Sequence, residues 1–323
     1  MTHAIRIHQT GGPEVLKWEQ VEVGDPGPGE VRLRQEAVGL NFIDVYHRTG
    51  AYPQKLPFTP GVEGAGIVDA VGPDVSTLRV GDRVAYAGAI GSYAEQRLIA
   101  ADRLVSLPDS ISSEQAGAMM LQGLTAHMLL RQIHDVKPGE TILIHAAAGG
   151  VGLIVCQWAK ALGATVIGTV GSEEKAEIAR GHGCDHPILY KQQDFVGEVE
   201  RLTGGKKLPV VYDGVGKDTF LKSLDCLARR GMMVSFGGAS GAPEPLAPGV
   251  LSQKGSLFLT RPTLFDYIAE RSELEQAAKE LFDIVASGTV KVEVKQRFAL
   301  RDAAEAHRAL EGRKTTGSTV LNV

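Results

Sequence analysis

The chain has 323 residues, of which 43% are hydrophobic and 22% charged, with a formal net charge of −4 at pH 7. This length allows two domains, and the missing basic excess argues against a nucleic acid or an anionic membrane as the main partner. The three cysteines lie far apart, no apolar stretch approaches the length of a membrane span, and the N-terminus lacks a signal peptide's apolar region, so we expect a cytoplasmic protein without a disulfide framework.

The first 110 residues predict a compact all-β unit, partly a barrel, because short β-like runs alternate with turns rich in glycine and proline. One short helix is expected within it, over Asn41–Arg48. The predicted strands are Ala4–Ile7, Leu16–Val23, Glu30–Val38, Gly64–Val71, Arg83–Ala87 and Ser92–Ile99.

A longer helix is predicted over Ser112–Arg131. Ser112 or Ser113 would cap it, with Gln115 near the capping-box position. We expect the domain boundary inside this helix, near Gly123, so that one domain comprises residues 124–261 and the other residues 1–123 with 262–323.

From Thr141 onward, strand and helix patterns alternate regularly, which predicts a doubly wound parallel sheet of six strands. The predicted strands are Thr141–His145, Ala164–Val170, His186–Tyr190, Pro209–Tyr212, Met232–Phe236 and Ser256–Thr260. The predicted helices are Val151–Leu162, Ser172–Arg180, Phe195–Leu202 and Asp218–Arg229.

The alternation stops after Arg261. The remaining pattern predicts helices over Leu274–Ala286 and Asp302–Leu310 and strands over Val290–Phe298 and Ser318–Val323. This tail is expected to return to the first domain; the alternative is that it extends the second.

A turn of small residues joins the first strand to the first helix of the second domain. Read as G-x-G-x-x-G, its positions are Ala147, Gly149 and Gly152, so the first glycine is missing. Its context between a strand and a helix is that of a dinucleotide-binding turn, in which the backbone approaches a pyrophosphate and the helix N-terminus faces it.

The end of the second strand indicates which cofactor is bound. A site for NAD usually has a carboxylate there for the ribose 2′-hydroxyl, whereas this chain has Gly171 and Ser172 there, with Lys175 one turn further on. This favours NADP, although Glu173 and Glu174 oppose it by charge unless they face solvent. Lys175 could equally be a surface residue, and Tyr190, at the tip of the third strand, either contacts the adenosine end or is an ordinary surface aromatic.

Several segments together resemble the medium-chain dehydrogenase/reductase superfamily, and specifically its zinc-independent quinone oxidoreductase (ζ-crystallin-like) branch, including bacterial NADPH:quinone oxidoreductases. The resemblance covers essentially the whole chain. The segments that carry it are NFIDVYHRTGAYP (41–53), GVEGAGIVDAVGPDVSTLRVGDRV (61–84), AAAGGVG (146–152), YDGVG (212–216), SLDCLARRGMMVSFGGASG (223–241) and SQKGSLFLTRP (252–262).

The resemblance implies a GroES-like catalytic domain, a Rossmann cofactor domain and NADPH held between them. It places Asn41 and Tyr46 near the nicotinamide. It also implies a homodimer joined through the edge of the cofactor sheet near Ser256–Arg261. The other implied cofactor-binding residues are Thr125, Gly149, Gly150, Val151, Gly171, Ser172, Lys175, Tyr190, Gly216, Phe236, Gly237, Ser240, Arg261 and Arg313.

The sequence predicts no zinc. A structural zinc site needs a compact ligand cluster, which three scattered cysteines do not supply. Zinc alcohol dehydrogenases carry histidine where this chain has Val62, and no cysteine stands near Asn41. The run His182–His186 contains two histidines and a cysteine, but a solvated loop explains it better than a metal site does.

Without a metal to stabilise an alkoxide, a quinone or an enone is the easiest hydride acceptor, because its charge is delocalised. We therefore predict an NADPH-dependent quinone oxidoreductase, with Asn41, Tyr46 and Tyr52 as candidate catalytic residues. Tyr46 or Tyr52 could donate a proton, as could solvent, while Tyr46 could instead only pack against the nicotinamide. The alternatives are a 2-alkenal or enone reductase and, in another class, a nucleotide-loaded structural or RNA-binding protein.

Overall fold

The computed structural model describes residues 2–323, which divide into two compact units. The first unit contains the chain up to Leu124 together with residues 270–286 and 292–323. The second unit contains residues 125–269 and 287–291. The division at residue 124 falls inside a helix, α2 (Ser113–His127).

The first unit is rich in β-structure. Its strands are β1 (Thr2–Arg6), β2 (Lys17–Val21), β3 (Glu30–Gly39), β4 (Glu63–Val71), β5 (Arg83–Ala87), β6 (Gln96–Ala100), β7 (Val105–Ser106), β14 (Val294–Ala299) and β15 (Ser318–Asn322). Besides the start of α2, its helices are α1 (Phe42–Thr49), α9 (Arg271–Ala286) and α10 (Ala303–Glu311).

A seven-stranded sheet organises this unit, in the order β14-β15-β3-β4-β5-β7 with β6 also on β3, and β1 and β2 form a separate hairpin. The pairs are antiparallel except β14 with β15. The two hydrophobic clusters of the unit include Val31, Leu33, Val68, Val84 and Leu104 in one and Ile5, Ile7, Val38, Leu300 and Leu321 in the other.

The second unit has the predicted alternation of strands and helices. Its strands are β8 (Thr141–Ile144), β9 (Thr165–Val170), β10 (His186–Leu189), β11 (Leu208–Asp213), β12 (Leu227–Ser235) and β13 (Phe258–Thr260). Its helices are α3 (Gly150–Ala161), α4 (Glu173–Gly181), α5 (Phe195–Thr203), α6 (Phe220–Ser223), α7 (Gly249–Gln253) and α8 (Leu264–Tyr267), after the end of α2.

The six strands form one parallel sheet in the order β10-β9-β8-β11-β12-β13. The order reverses beside β8, which is the Rossmann topology, and ligands bind such sheets at the carboxyl ends of the strands. The predicted α/β fold, with a β-rich unit and a six-stranded doubly wound sheet, is confirmed.

Local sequence explains where several helices begin. Gln115 N–H donates to Ser112 Oγ at 3.1 Å and Ser112 N–H to Gln115 Oε1 at 3.4 Å, so Ser112 closes the predicted capping box of α2. Asp194 caps α5, which ends at Gly204 with φ +58°.

Several predicted elements differ from the structure in their bounds. The helix predicted over Asp218–Arg229 is helical only from Phe220 to Cys226, because Leu227 already pairs with Leu208 of β11 and starts β12. The helix from Ser112 ends as α-helix at His127 and continues as a π-helix, Met128–Ile133. The strands predicted from Ser92 and Val290 begin at Gln96 and Val294, where regular pairing with neighbouring strands starts.

Across residues 2–323, no helix is both long enough and apolar enough to cross a membrane.

Candidate functional site

The turn between β8 and α3 leaves a helix N-terminus open to a ligand. Gly149 precedes α3 with extended backbone, and its N–H donates to Ala146 O at 2.8 Å. No side chain caps α3, and no acidic residue occupies its first turn. The first N–H groups of α3 are therefore available to an anion, which the helix dipole also favours.

Close packing explains why Gly152 in this turn and Gly168 on the neighbouring strand β9 are glycines. A Cβ on Gly152 would lie 2.4 Å from Ala146 O, so only glycine lets α3 start so close to the turn. A Cβ on Gly168 of β9 would lie 2.5 Å from the Ala147 side chain. Alanine can occupy the first glycine position of the motif for two reasons. The Ala147 side chain is buried in the packing here, and the left-handed backbone conformation (φ +56°) falls on Ala146 instead.

We expect Gly152→Ala to destabilise the second unit by about 2 kcal/mol, because the new methyl group overpacks a backbone contact. NADPH affinity should fall as well, since the turn must move. Thermal unfolding and NADPH titration by fluorescence measure both effects. Gly181→Ala at the end of α4 is the matched control, because its Cβ meets no atom within 4 Å; equal effects of the two variants would contradict the packing explanation.

The predicted 2′-phosphate residues come together at the carboxyl ends of β9 and β10. Ser172 caps α4, and its Oγ accepts from the backbone N–H of Lys175 at 3.3 Å. A Cβ on Gly171 would lie 3.5 Å from the Tyr190 hydroxyl, so these residues are neighbours. Tyr190 N–H also donates to Val170 O at 3.3 Å. Tyr190 thus lies beside Gly171, and Ser172 and the half-buried Lys175 follow at the start of α4.

The two acids of the first turn of α4 are exposed, as the sequence-based interpretation required. Arg180 Nη1 lies 3.2 Å from Glu173 Oε1 and also pairs with Glu177, which partly neutralises the acids along that face of α4. The charge that opposes NADP binding is thereby reduced.

A second group of predicted residues lies where β11 and β12 end. The buried Asp213 carboxylate accepts the N–H groups of Val215 at 2.8 Å and Gly216 at 3.0 Å. Ser240 Oγ donates to Val215 O at 2.8 Å, which ties the loop after β12 to the loop after β11. The other predicted residues of this group are Phe236 and Gly237, which pack on Gly214, and Arg261, whose Nη1 donates to Ser235 O at 2.8 Å.

Asp213 belongs to a buried polar network that the sequence analysis missed. His145 lies 2.8 Å from both Thr169 Oγ1 and Ser223 Oγ, and Thr219 Oγ1 donates to Asp213. Burial lowers the pKa of His145, while the Asp213 charge opposes that shift. The only sequence signal was a histidine ending an apolar strand.

In the first unit, helix α1 and the loop after it carry the three candidate catalytic residues. Asn41 precedes α1 and is 8% exposed. Tyr46 and Tyr52 meet edge to face with their ring centroids 5.2 Å apart, and Tyr52 N–H donates to Tyr46 O at 3.0 Å. Tyr52 is 39% exposed.

Two buried carboxyl groups, Asp44 and Glu63, flank Asn41. Asp44 Oδ2 accepts from the Asn41 backbone N–H at 2.9 Å and from the Tyr93 hydroxyl at 3.0 Å, whereas Asp44 Oδ1 is buried without a partner among the described residues. Glu63 accepts from the Asn41 side chain and from Leu121 N–H. Burial raises the pKa of Asp44 to about 7 and that of Glu63 to about 8.

Glu63 was missed as a functional residue, although it lies in the quoted segment 61–84. The available signal was a carboxylate beside Val62, followed by five small or apolar residues, Gly64–Val68. Asp44, by contrast, acts locally, because it accepts the backbone N–H of Asn41 at the start of α1.

The two remaining predicted residues, Thr125 and Arg313, lie in different units. Thr125 is half-buried near the end of α2, in the second unit. Arg313 follows α10 in the first unit, with φ +57°. Within residues 2–323, no group of three or more His, Cys, Asp or Glu side chains is arranged to hold a metal ion.

Comparison with known proteins identifies the family. Residues 27–109 match the family "Alcohol dehydrogenase GroES-like domain", and residues 150–284 match "Zinc-binding dehydrogenase". A quinone oxidoreductase of Pseudomonas aeruginosa is 54% identical over 323 residues, and a 2-haloacrylate reductase of a Burkholderia species is 49% identical over 330; both alignments cover 99% of each chain.

The fold comparison agrees. The crystal structure of Escherichia coli quinone oxidoreductase complexed with NADPH superposes with a TM-score of 0.98 at 50% identity, covering 99% of this chain and all of that one. The two units, the glycine turn and the full-length similarity establish that this chain belongs to the medium-chain dehydrogenase/reductase family, in its quinone oxidoreductase branch.

Proposed function

We propose that the protein reduces quinones with NADPH. The observation that carries this proposal is the similarity, at about half of all positions and over the whole chain, to quinone oxidoreductases, one of them solved with NADPH. Two features support NADPH in particular. The N-terminus of α3 is open to an anion, and Lys175 lies one turn beyond the end of β9, where no carboxylate stands.

The residues of the second unit fit this cofactor. We assign the first N–H groups of α3, at Gly150 and Val151, to the pyrophosphate, and Ser172, Lys175 and Tyr190 to the 2′-phosphate. We assign Arg313 and Thr125 to the same cofactor on the resemblance. When bound, NADPH supplies a hydride, which carries two electrons and one proton, and becomes NADP⁺.

The residues of the first unit suit an acceptor with a conjugated carbonyl group. Negative charge develops on the carbonyl oxygen as the acceptor takes up a hydride, and hydrogen-bond donors stabilise it. The Asn41 amide and the hydroxyl groups of Tyr46 and Tyr52 are the donors we assign to this task. Solvent supplies the proton that completes the product, unless one of the tyrosines does.

The loss of NADPH absorbance tests the proposed function directly. We expect purified, chelator-treated protein to oxidise NADPH with 1,4-benzoquinone or 9,10-phenanthrenequinone, and to use NADH much less well. Binding of NADPH without turnover of any acceptor would refute the proposal.

We expect Lys175→Ala to raise the KM for NADPH about tenfold, because one charge-assisted hydrogen bond to the 2′-phosphate is lost. The KM for NADH, which lacks that phosphate, should not change. The backbone cap from Ser172 remains in the variant. Lys279→Ala, an exposed helix lysine paired with Asp283, is the matched control; equal effects on NADPH and NADH would contradict the assignment.

A second candidate substrate class is favoured by the 2-haloacrylate reductase that is 49% identical over nearly the full length. The name of that enzyme describes reduction of an activated alkene, which requires the same hydride step. A 2-alkenal and 2-chloroacrylate therefore belong in the same assay. Turnover of these compounds without turnover of quinones would replace the substrate class and keep the cofactor.

We also propose a homodimer joined through β13. This strand is the edge of the six-stranded sheet, and its Phe258 and Leu259 are 56% and 39% exposed. An exposed apolar edge strand is a template for pairing with another strand. A cytoplasmic location is proposed as well, because Cys156, Cys184 and Cys226 are free, buried thiols, which suits a reducing compartment.

We expect Phe258→Asp to convert the dimer to a monomer at micromolar concentration, because each edge would then bury an unpaired charge. Sedimentation velocity measures the change. Leu221→Asp, at another exposed apolar side chain of the same unit (49% exposed), is the control and should stay dimeric. A wild-type monomer would contradict the dimer itself.

A further inference from the structure

A directed chain of hydrogen bonds holds the Asn41 side chain. The Ser318 hydroxyl donates to Gln122 Oε1 at 2.7 Å, and Gln122 Nε2 donates to Asn41 Oδ1 at 3.2 Å. Asn41 Nδ2 then donates to Glu63 Oε1. All four residues are at least nine-tenths buried and belong to the first unit.

The backbone of helix α2 and of the end of β3 determines where the Glu63 carboxyl group lies. Leu121 N–H, inside helix α2, donates to Glu63 Oε2 at 2.7 Å. Gly39 at the end of β3 leaves the necessary space, since a Cβ there would lie 2.0 Å from Glu63 Oε1. Burying a carboxyl group costs free energy unless the group is hydrogen-bonded. Here Leu121 N–H provides a hydrogen bond and Gly39 leaves the space that the group occupies.

The contacts also fix which way the Asn41 amide faces. Glu63 accepts from Leu121 N–H at Oε2 and from Asn41 Nδ2 at Oε1, so the NH₂ end of the Asn41 amide faces Glu63, while its oxygen end meets the Gln122 donor. Of the two NH₂ hydrogens, one is directed to Glu63. The second has no acceptor among residues 2–323, and it remains available to a ligand.

We propose that Glu63 is a positioning residue for quinone reduction, which holds the Asn41 amide so that its second N–H donates to the carbonyl oxygen of the acceptor. This inference rests on the proposed function. The charge that develops on that oxygen during hydride uptake is what the donor stabilises. Glu63 acts only through Asn41 and does not touch the substrate.

Exchanging the amide group of residue 41 and the carboxyl group of residue 63 distinguishes a positioning role of Glu63 from a purely structural one. In Glu63→Gln, the new amide keeps its oxygen on Leu121 N–H and turns its NH₂ toward Asn41, so Asn41 must present oxygen instead. The double variant Glu63→Gln with Asn41→Asp restores every donor–acceptor pair and keeps one buried carboxyl group. It has no N–H at position 41.

We expect Glu63→Gln to lower kcat about a hundredfold, as loss of an oxyanion donor does, with NADPH affinity within about threefold of wild type. The double variant should recover the thermal unfolding midpoint and stay about a hundredfold slow. Ser113→Ala, which removes another buried hydroxyl contact of the same unit, should leave kcat unchanged.

The proposal would be overturned if the double variant recovered wild-type kcat as well as wild-type stability. It would also be overturned if Glu63→Gln kept the wild-type kcat. If the double variant does not fold, Glu63→Gln and Asn41→Ala decide the question, since both should lose kcat equally. A wild-type protein that binds NADPH and reduces no quinone would refute the proposed function instead, which distinguishes the two failures.

Discussion

Replacing Arg48 with alanine should lower the free energy of unfolding of the first unit by about 3 kcal/mol, because it leaves a cavity and removes the hydrogen bonds of a buried guanidinium group. The Arg48 side chain is 1% exposed and holds both carboxylate oxygens of Glu311, at 2.9 and 2.8 Å. It also bonds His307 Nδ1 at 2.9 Å and Gly11 O at 3.0 Å. The variant leaves these partners unsatisfied beside a cavity.

The neighbouring groups make this arginine difficult to replace. Burial and the Arg48 charge lower the pKa of His307 to about 3, so His307 is neutral and accepts from the guanidinium group. A lysine cannot reproduce the fork that Glu311 receives. Arg48→Lys should therefore recover only part of the lost stability.

Urea unfolding followed by tryptophan fluorescence measures the effect. The chain has two tryptophans, and a Trp158→Phe background leaves Trp18, which lies in the first unit, as the reporter. Arg297→Ala is the matched control, because Arg297 makes the same two-bond contact with Glu114 at the surface, with side chains 51% and 38% exposed. It should cost less than about 1 kcal/mol; an equal loss in both variants would contradict the role of burial.

The stability of the first unit should fall as pH rises from about 4 to 7, in part because of Asp44. Burial raises its pKa from 3.8 to about 7. A carboxyl group whose pKa is raised in the folded state stabilises that state below its unfolded pKa, and the stabilisation disappears as pH rises through the folded pKa. The contribution changes by about 1.4 kcal/mol per pH unit within this window.

Asp44→Asn isolates this effect. Both hydrogen bonds to Asp44 reach the same oxygen, so the single amide oxygen of asparagine can keep them. The difference in unfolding free energy between wild type and variant should move by about 1.4 kcal/mol per pH unit in favour of the variant between pH 4.5 and 6.5. Glu174→Gln, at an exposed acid, should give parallel curves. Parallel curves for Asp44→Asn would show that the carboxyl group is ionised at low pH like an exposed one.

Much of the second unit follows from local sequence. The alternation of apolar runs and glycine stops predicted all six strands of its sheet, because each element there is specified by its own period and end signals. Ser172 was predicted as the cap of α4 for the same reason, and its hydroxyl does accept from Lys175 N–H. The error at Leu227–Arg229 arose because pairing with β11, a non-local interaction, overrides the local helical pattern.

The sequence by itself determined the fold class and the family, because glycine turns, caps and apolar periods are local, and motif combinations identify relatives. Only the tertiary structure decided the surroundings of Asn41 and Arg48. Glu63 meets Leu121 across 58 residues, and Arg48 meets Glu311 across 263. No local pattern relates residues so far apart. The burial that raises the pKa of Glu63 and gives the Arg48 contacts their energetic weight exists only after the chain has folded.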